Sequence, residues 1–207
     1  MCGRYYLEES PELRPIIEEM NRSPLLSLFQ GSAAVTTAGE VTPGCVAPVI
    51  ASNRGGSRTV FPMKWGFSVP KSPGSSGLLI NARSETAADK PTFRESWATH
   101  RCIVPASYYF EWEHGSTPDG QKTPGPKYRI QPIAQTMVWL CGLYRMENGL
   151  PSFVILTREP GEEIRFIHDR MPLMLPREEA ARWIRPDASP EEIVKQAQTQ
   201  MCYERAV

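Results

Sequence analysis

Twenty prolines spread along 207 residues argue against long regular elements, because each removes a backbone donor, breaks a helix interior and is kept out of central strands. What folds under that constraint is a set of short helices and short strands. "SPELRPIIEEMN" opens on Ser10, Pro11 and Glu12 and spaces Leu13, Ile16, Ile17 and Met20 as an apolar helix face. "PLLSLFQG" reads as a second short helix stopped by Gly31. "CVAPVIASN" and "RTVFPMKWGF" read as strands separated by the turn "NRGGS", and "VPKSPGSSG" reads as a loop. A short helix is expected around "PTFRESWATH". β-rich text follows in "RCIVPASYYFEWE", "KYRIQPI", "TMVWLCGLYRM" and "PSFVILTRE", with "HGSTPDGQKTPGP" as a flexible hairpin-type loop between the first two. The end reads as helical, since "PREEAARWI" and "SPEEIVKQAQTQ" each open on proline plus acidic residues.

Strands in mostly sequential, hairpin-like order with helices at both ends predict an α+β fold. The expectation is a single domain over 1–207, with a mixed, largely antiparallel, curved or barrel-like sheet at its centre and short helices flanking it. That length can bury a substantial core. Lys plus Arg and Asp plus Glu balance at 23 each, which excludes attraction of the whole molecule to nucleic acid or to an anionic membrane and leaves a local patch for any polyanion. No apolar run of 18 residues is present, and the first 25 residues carry Glu8, Glu9, Glu12, Glu18 and Glu19 in place of a secretory apolar core. The chain reads as soluble and intracellular.

The five cysteines, Cys2, Cys45, Cys102, Cys141 and Cys202, are odd in number and scattered, with no CxxC and only three histidines beside them. Reduced thiols are expected, with no metal site and no cofactor. Cys102 and Cys141 lie in apolar strand-like runs and read as small buried hydrophobes. Cys2 differs. Once the initiator methionine is removed, as commonly happens ahead of a small residue, Cys2 carries a free α-amine and a thiol on adjacent carbons, a bidentate nucleophile.

Three other polar positions sit oddly in apolar text. Glu111, between Phe110 and Trp112, either points to water by strand alternation, sharing that face with Glu113, or is buried at a cost of several kcal/mol unless paired or protonated. His168, in "EPGEEIRFIHDRMPLML", falls near the end of a short helix opened by Pro160 and Gly161. It is either a structural hydrogen-bonder or the side chain best suited to move protons near neutrality. Asp169 and Arg170 read as a solvated pair, and His100 and His114 as loop or helix-end residues. In "LLINARSET" the strand Leu78–Ile80 runs into Asn81 and Arg83, which either cap a turn and face solvent or are aimed into a site.

"MCGRYY", "MKWGF", "INARSET", "RCIVPASYYFEW" and "IHDRMP", in this order from residue 2 to residue 172, resemble the motifs of the SOS-response-associated peptidase (SRAP) family. That family includes single-domain bacterial members and a eukaryotic sensor of abasic sites. The resemblance implies single-turnover DNA–protein crosslinking at abasic sites in single-stranded DNA near replication forks. The Cys2 amine would condense with the ring-opened aldehyde to an imine, and the thiol would close a thiazolidine. An α-amine with a reference pKa of about 8 is partly neutral at cell pH, whereas a lysine at about 10.4 is not. Ring closure by a tethered thiol also has a large proximity advantage.

By the same resemblance, Asn81 would hold the Cys2 terminus, Glu111 would manage protons there, and His168 would assist sugar-ring opening and imine formation. Arg4 and Arg83 would meet phosphates, with Lys64 and Arg94 extending the path. Trp65, Gly66 and Phe67 would offer aromatic surface to bases, although "VFPMKWGF" equally reads as a buried strand that makes Trp65 core. The family further implies a monomeric, bacterial-type, cytoplasmic and nucleoid-associated protein without a membrane partner. No partner-binding tail is evident after "CYERAV". Departures from the family pattern are Tyr5 for Phe, Ser107 and Tyr108 for a Gly-aromatic pair, and "KYRI" without a preceding proline; none touches the four central residues. Two other readings are an amidohydrolase using Cys2 as nucleophile and its amine as base, and a passive single-stranded DNA-binding module.

Overall fold

The structure, a computed structural model, describes residues 2–29, 31, 33–72, 75–116 and 122–206. Its strands are β1 (Arg4–Leu7), β2 (Gly39–Val41), β3 (Val46–Ser52), β4 (Arg58–Trp65), β5 (Phe67–Ser72), β6 (Ser75–Leu79), β7 (Asn81–Arg83), β8 (Arg101–Ala106), β9 (Tyr108–Ser116), β10 (Lys122–Pro132), β11 (Val138–Glu147), β12 (Leu150–Arg158), β13 (Met171–Pro172), β14 (Met174–Leu175) and β15 (Met201–Arg205). Four short helices, α1 (Leu13–Asn21), α2 (Arg94–Thr99), α3 (Arg177–Trp183) and α4 (Pro190–Ile193), accompany them. The fold class is α+β, as the order of elements predicts.

Five strands close on themselves in the order β12, β4, β3, β8, β11 and back to β12. All pairings in this barrel are antiparallel except β12 with β4. Its interior is filled by side chains such as Val49, Met63, Val104, Leu140 and Ile155, all essentially without solvent exposure. Two prolines sit directly opposite each other at Pro48 and Pro62. Neither removes a donor that the sheet uses, because β8 joins β3 only at Ile50 and Ala51 and β12 joins β4 only at Lys64 and Trp65.

A second sheet, in the order β15, β10, β9, β1, β2, is antiparallel throughout. The chain passes from the barrel into it at Ser107, between β8 and β9. There the Ser107 N–H donates to Tyr6 O at 2.8 Å and its hydroxyl accepts the Glu8 N–H at 2.9 Å. The serine that departs from the family pattern therefore ties the amino-terminal strand to the barrel.

Four expectations are corrected. Of the segment 69–77 read as a loop, residues 69–72 and 75–77 belong to the paired strands β5 and β6, and residues 73 and 74 lie outside the described residues; a two-stranded ribbon leaves each strand an outer edge, where Pro70 costs no ladder bond. The chain ends in a strand, β15, paired along β10, after the expected helices. His114 lies within β9, opposite Pro124, because β9 and β10 extend into the segment read as a loop; residues 117–121 of that segment lie outside the described residues. Arg170 is largely buried and binds both carboxylate oxygens of Glu85, at 2.9 and 2.8 Å, rather than pairing with Asp169. Other readings hold: the Ser10 hydroxyl accepts the Leu13 N–H at the start of α1, and Cys102 and Cys141 are fully buried.

Arg101 shows what joins the helices to the barrel. Its guanidinium, nearly inaccessible to solvent, donates to the carbonyls of Trp97, Ala98, Trp183, Arg185 and Ala188 at 2.5–3.1 Å. These lie at the end of α2, at the end of α3 and in the turn before α4, where helix C-termini favour a cation. Arg101→Leu strands several buried carbonyls and is expected to cost about 3 kcal/mol or more, read as a lowered midpoint in denaturant unfolding.

Candidate active site at the amino terminus

β1 pairs antiparallel with β9, Arg4 opposite Phe110 and Tyr6 opposite Tyr108. Continued past Arg4, the same register brings the terminus alongside Glu111 and Trp112. Cys2 is wholly buried there, its thiol directed at the Arg4 carbonyl at 3.8 Å. Asn81, 7% exposed and carried at the start of β7 by parallel pairing with Ile155 of β12, donates its Nδ2–H to the Cys2 carbonyl at 2.9 Å. Its Oδ1 has no donor among the described residues. It is an acceptor ready for a group on the terminus.

Glu111 takes the inward alternative, with 5% exposure. Burial raises its carboxyl above the ordinary carboxylate value, against the opposing effects of nearby positive charge and of the Trp112 N–H. The Cys2 thiol is pushed up strongly, first by burial and then by the Glu111 charge, so it is a neutral thiol at physiological pH. Glu113, two residues on, shares the face and accepts the Tyr128 hydroxyl at 3.0 Å.

His168 arrives from the turn after the 3-10 segment Glu162–Ile164, its side chain 11% exposed. Burial first, and then neighbouring positive charge including His114, hold its imidazole at about 4, so it is neutral at pH 7. Its ring lies against that of His114 with centroids 4.0 Å apart, and the His114 N–H donates to Ile167 O at 3.1 Å. Cys2, Asn81, Glu111 and His168 thus converge from β1, β7, β9 and the turn before β13. His114, read from the sequence only as a loop or helix-end residue, joins them through its ring contact with His168.

The expected DNA-contacting residues divide. Arg4 lies on the outward face of the second sheet, paired with Glu40; Arg83 is exposed at the end of β7, two residues from Asn81; Arg94 is exposed at the start of α2; and Lys64 is half-buried on β4. Trp65 and Phe67 are fully buried, which corrects the stacking expectation. The Trp65 ring packs parallel to Phe153 and donates its N–H to Ile80 O at 3.0 Å. Gly66 between them adopts φ 113°, and a Cβ there would meet Leu78 at 3.2 Å. The segment is a packing device.

Partly exposed aromatic rings lie elsewhere, in a strip the sequence reading missed. On the face of β1, β9 and β10 opposite Glu111, half-buried Tyr6 and Trp112 and buried Tyr108 and Phe110 lie among Arg4, Lys127 and Arg129. Lys127 Nζ stands 3.7 Å from the Phe110 ring centre, and the Arg129 guanidinium 4.0 Å from that of Tyr108. Arg4 and Lys127 both lie over Trp112 and both contact Glu40. Period-2 alternation sends these residues outward as it sends Glu111 inward. An open cleft of about 630 Å³ between α1 and α3, lined by Ile16, Ile50, Ile103 and Trp139, shares no residue with this site.

The profile of the family described as SOS response associated peptidase (SRAP) matches residues 1–206. The chain belongs to the SRAP family. Among relatives, it is 33% identical to the abasic site processing protein YoqW of Bacillus subtilis, over 90% of this chain and 81% of that one. It is also 33% identical to the abasic site processing protein YedK of Escherichia coli, over 93% and 83%. A crystal structure of a Bacteroides thetaiotaomicron protein superimposes with a TM-score of 0.72 at 22% identity, covering 100% of this chain and 92% of that one. A phage-related protein of Bordetella bronchiseptica gives 0.71 at 23%, covering 99% and 94%. These structures share the SRAP fold. Among the described residues of this SRAP chain, no helix is long and apolar enough to cross a membrane.

Proposed function

We propose that this protein crosslinks itself to abasic sites in single-stranded DNA through Cys2, after removal of Met1. The observation that carries the reading is the burial of Cys2 beside a carboxylate of raised pKa, with its carbonyl held by Asn81. The relatives named as abasic site processing proteins support it.

The chemistry follows from these groups. Glu111 takes a proton from the Cys2 ammonium, leaving a nucleophilic amine, and the neutral His168 imidazole takes the proton of the sugar's anomeric hydroxyl and returns it to the ring oxygen as that C–O bond breaks, giving the aldehyde and a free hydroxyl. Attack of the amine and loss of one water give an imine. Because the thiol is held protonated, the amine reacts first. The thiol then adds to the imine carbon, its proton passes to the nitrogen, and a five-membered thiazolidine closes. Asn81 fixes the terminus throughout, and tethering supplies the effective concentration.

Intact mass spectrometry before and after incubation with a single-stranded oligonucleotide carrying one abasic site tests this. The expected protein lacks Met1 and gains the oligonucleotide mass less one water. Protein without Met1 that gains no mass overturns the reading and favours hydrolysis or passive binding.

The aromatic and cationic strip is the proposed path of the DNA strand. Bases stack on Trp112 and its neighbours while Lys127 and Arg129 meet phosphates. Lys127→Ala should weaken binding to single strands evenly across sequences and reduce the slope of log affinity against log salt by about 0.7, one phosphate's share. Fluorescence anisotropy across a salt series measures it. An unchanged slope would remove Lys127 from the path.

A further inference from the structure

Three histidines in 207 residues gave no reason to expect a metal site, yet the fold brings two of them together. The backbone bond from His114 N to Ile167 O ties β9 to the turn that carries His168. The two rings are therefore held near each other by main chain. Their centroids are 4.0 Å apart with planes inclined at 57°, and Asp169 Oδ1 lies 2.7 Å from His168 Nδ1. One donor atom from each of His114, His168 and Asp169 falls within 4.8 Å of the others.

We propose that His114, His168 and Asp169 bind a divalent transition-metal ion, and that the bound ion suppresses the chemistry at Cys2. Metal–ligand distances of about 2.0–2.2 Å for imidazole nitrogen and carboxylate oxygen require donors closer together than 4.8 Å. Side-chain rotation of about an ångström supplies this. His114 and Asp169 are exposed, so both can turn toward an ion; the His114 ring shifts against that of His168, and coordination through His168 Nδ1 displaces the Arg170 N–H that this atom accepts at 3.0 Å. Two imidazoles and one carboxylate with an open position suit zinc, nickel or copper, whereas magnesium and calcium select all-oxygen sets. Coordination uses an imidazole lone pair of His168 and fixes the ring. An ion in place therefore competes with proton transfer by that ring. The suppression rests on the crosslinking role proposed for His168; the binding does not.

The test titrates chelator-treated full-length protein with zinc chloride by calorimetry, without DNA. One ion per chain is expected, unaffected by excess magnesium, retained in Cys2→Ala and weakened more than about tenfold in both His114→Ala and Asp169→Ala. No uptake by the parent, or uptake that His114→Ala leaves unchanged, overturns the site. Uptake lost in Cys2→Ala places the ion on the terminal amine and thiol and also overturns it.

Crosslinking is then compared with and without equimolar zinc. The parent rate should fall at least about tenfold, as expected when a group of the acid–base machinery is blocked, and recover on adding chelator. The corresponding ratio for His114→Ala should stay near unity. Zinc that binds without slowing the parent overturns the suppression and leaves the site. A parent that crosslinks under no condition overturns the proposed function instead, and the calorimetry still decides the site.

Discussion

Cys2→Ala protein should form no DNA adduct that survives denaturation, yet should be trapped on abasic DNA by borohydride. Alanine at position 2 is as small as cysteine, so Met1 is still removed and the α-amine is still presented to the aldehyde. The amine alone can reach only the imine, which water reverses and borohydride reduces to a stable secondary amine. In the parent, the thiol converts the C=N bond into a ring with no reducible double bond. Gel shift after heating in detergent, with and without borohydride, reads both outcomes for both proteins. A heat-stable adduct in untreated Cys2→Ala would show that another nucleophile carries the reaction. Failure of borohydride to trap the variant would mean that the amine does not attack first.

Glu111→Gln should slow adduct formation by about 10²-fold or more, the usual contribution of a positioned acid–base group, and should not destabilise the fold at neutral pH. The carboxyl is raised in the folded state, mainly by burial. As pH rises through the ordinary carboxylate value, the unfolded chain ionises first and the parent loses stability, until pH exceeds the raised folded value. Glutamine keeps the shape and cannot ionise, so it lacks that loss. Melting temperatures of parent and variant should therefore diverge with increasing pH in favour of the variant, while single-turnover rates move the other way. A variant less stable than the parent at neutral pH would show that the Glu111 carboxylate stabilises the fold, contrary to its raised pKa. Such opposition between stability and reactivity is expected where a charge is buried for chemistry.

Much of the site is legible in the chain because its signals are local. An amino-terminal cysteine defines its own chemistry wherever the chain folds. The apolar spacing of α1 and the β3–β4 hairpin around "NRGGS" follow from side-chain periodicity and turn preference within a few residues. Glu111 and Trp65 are different cases. Alternation assigns them to one of two faces without saying which face is covered, and each had two open readings. Packing of the second sheet against the barrel decided for burial in both, so Glu111 became a buried carboxyl beside Cys2 and Trp65 became core. The β5–β6 ribbon and β15 were missed because proline, glycine and serine in one case and a helix-like opening in the other outweighed a pairing partner that lies far away in sequence or has no strong pattern of its own.

The sequence by itself determined the proline-limited lengths of the elements, the α+β class, the neutrality of the chain and the presence of a cysteine at position 2. Each of these depends on composition or on neighbours along the chain. Only the tertiary structure decided that His114 stands against His168, that Arg170 serves Glu85, that Lys127 and Arg129 lie over an aromatic strip, and that Asn81 holds the Cys2 carbonyl. Those contacts join residues 17 to 85 positions apart and depend on which sheet face meets solvent. Their geometry exists only once β1 has paired with β9 and β7 with β12.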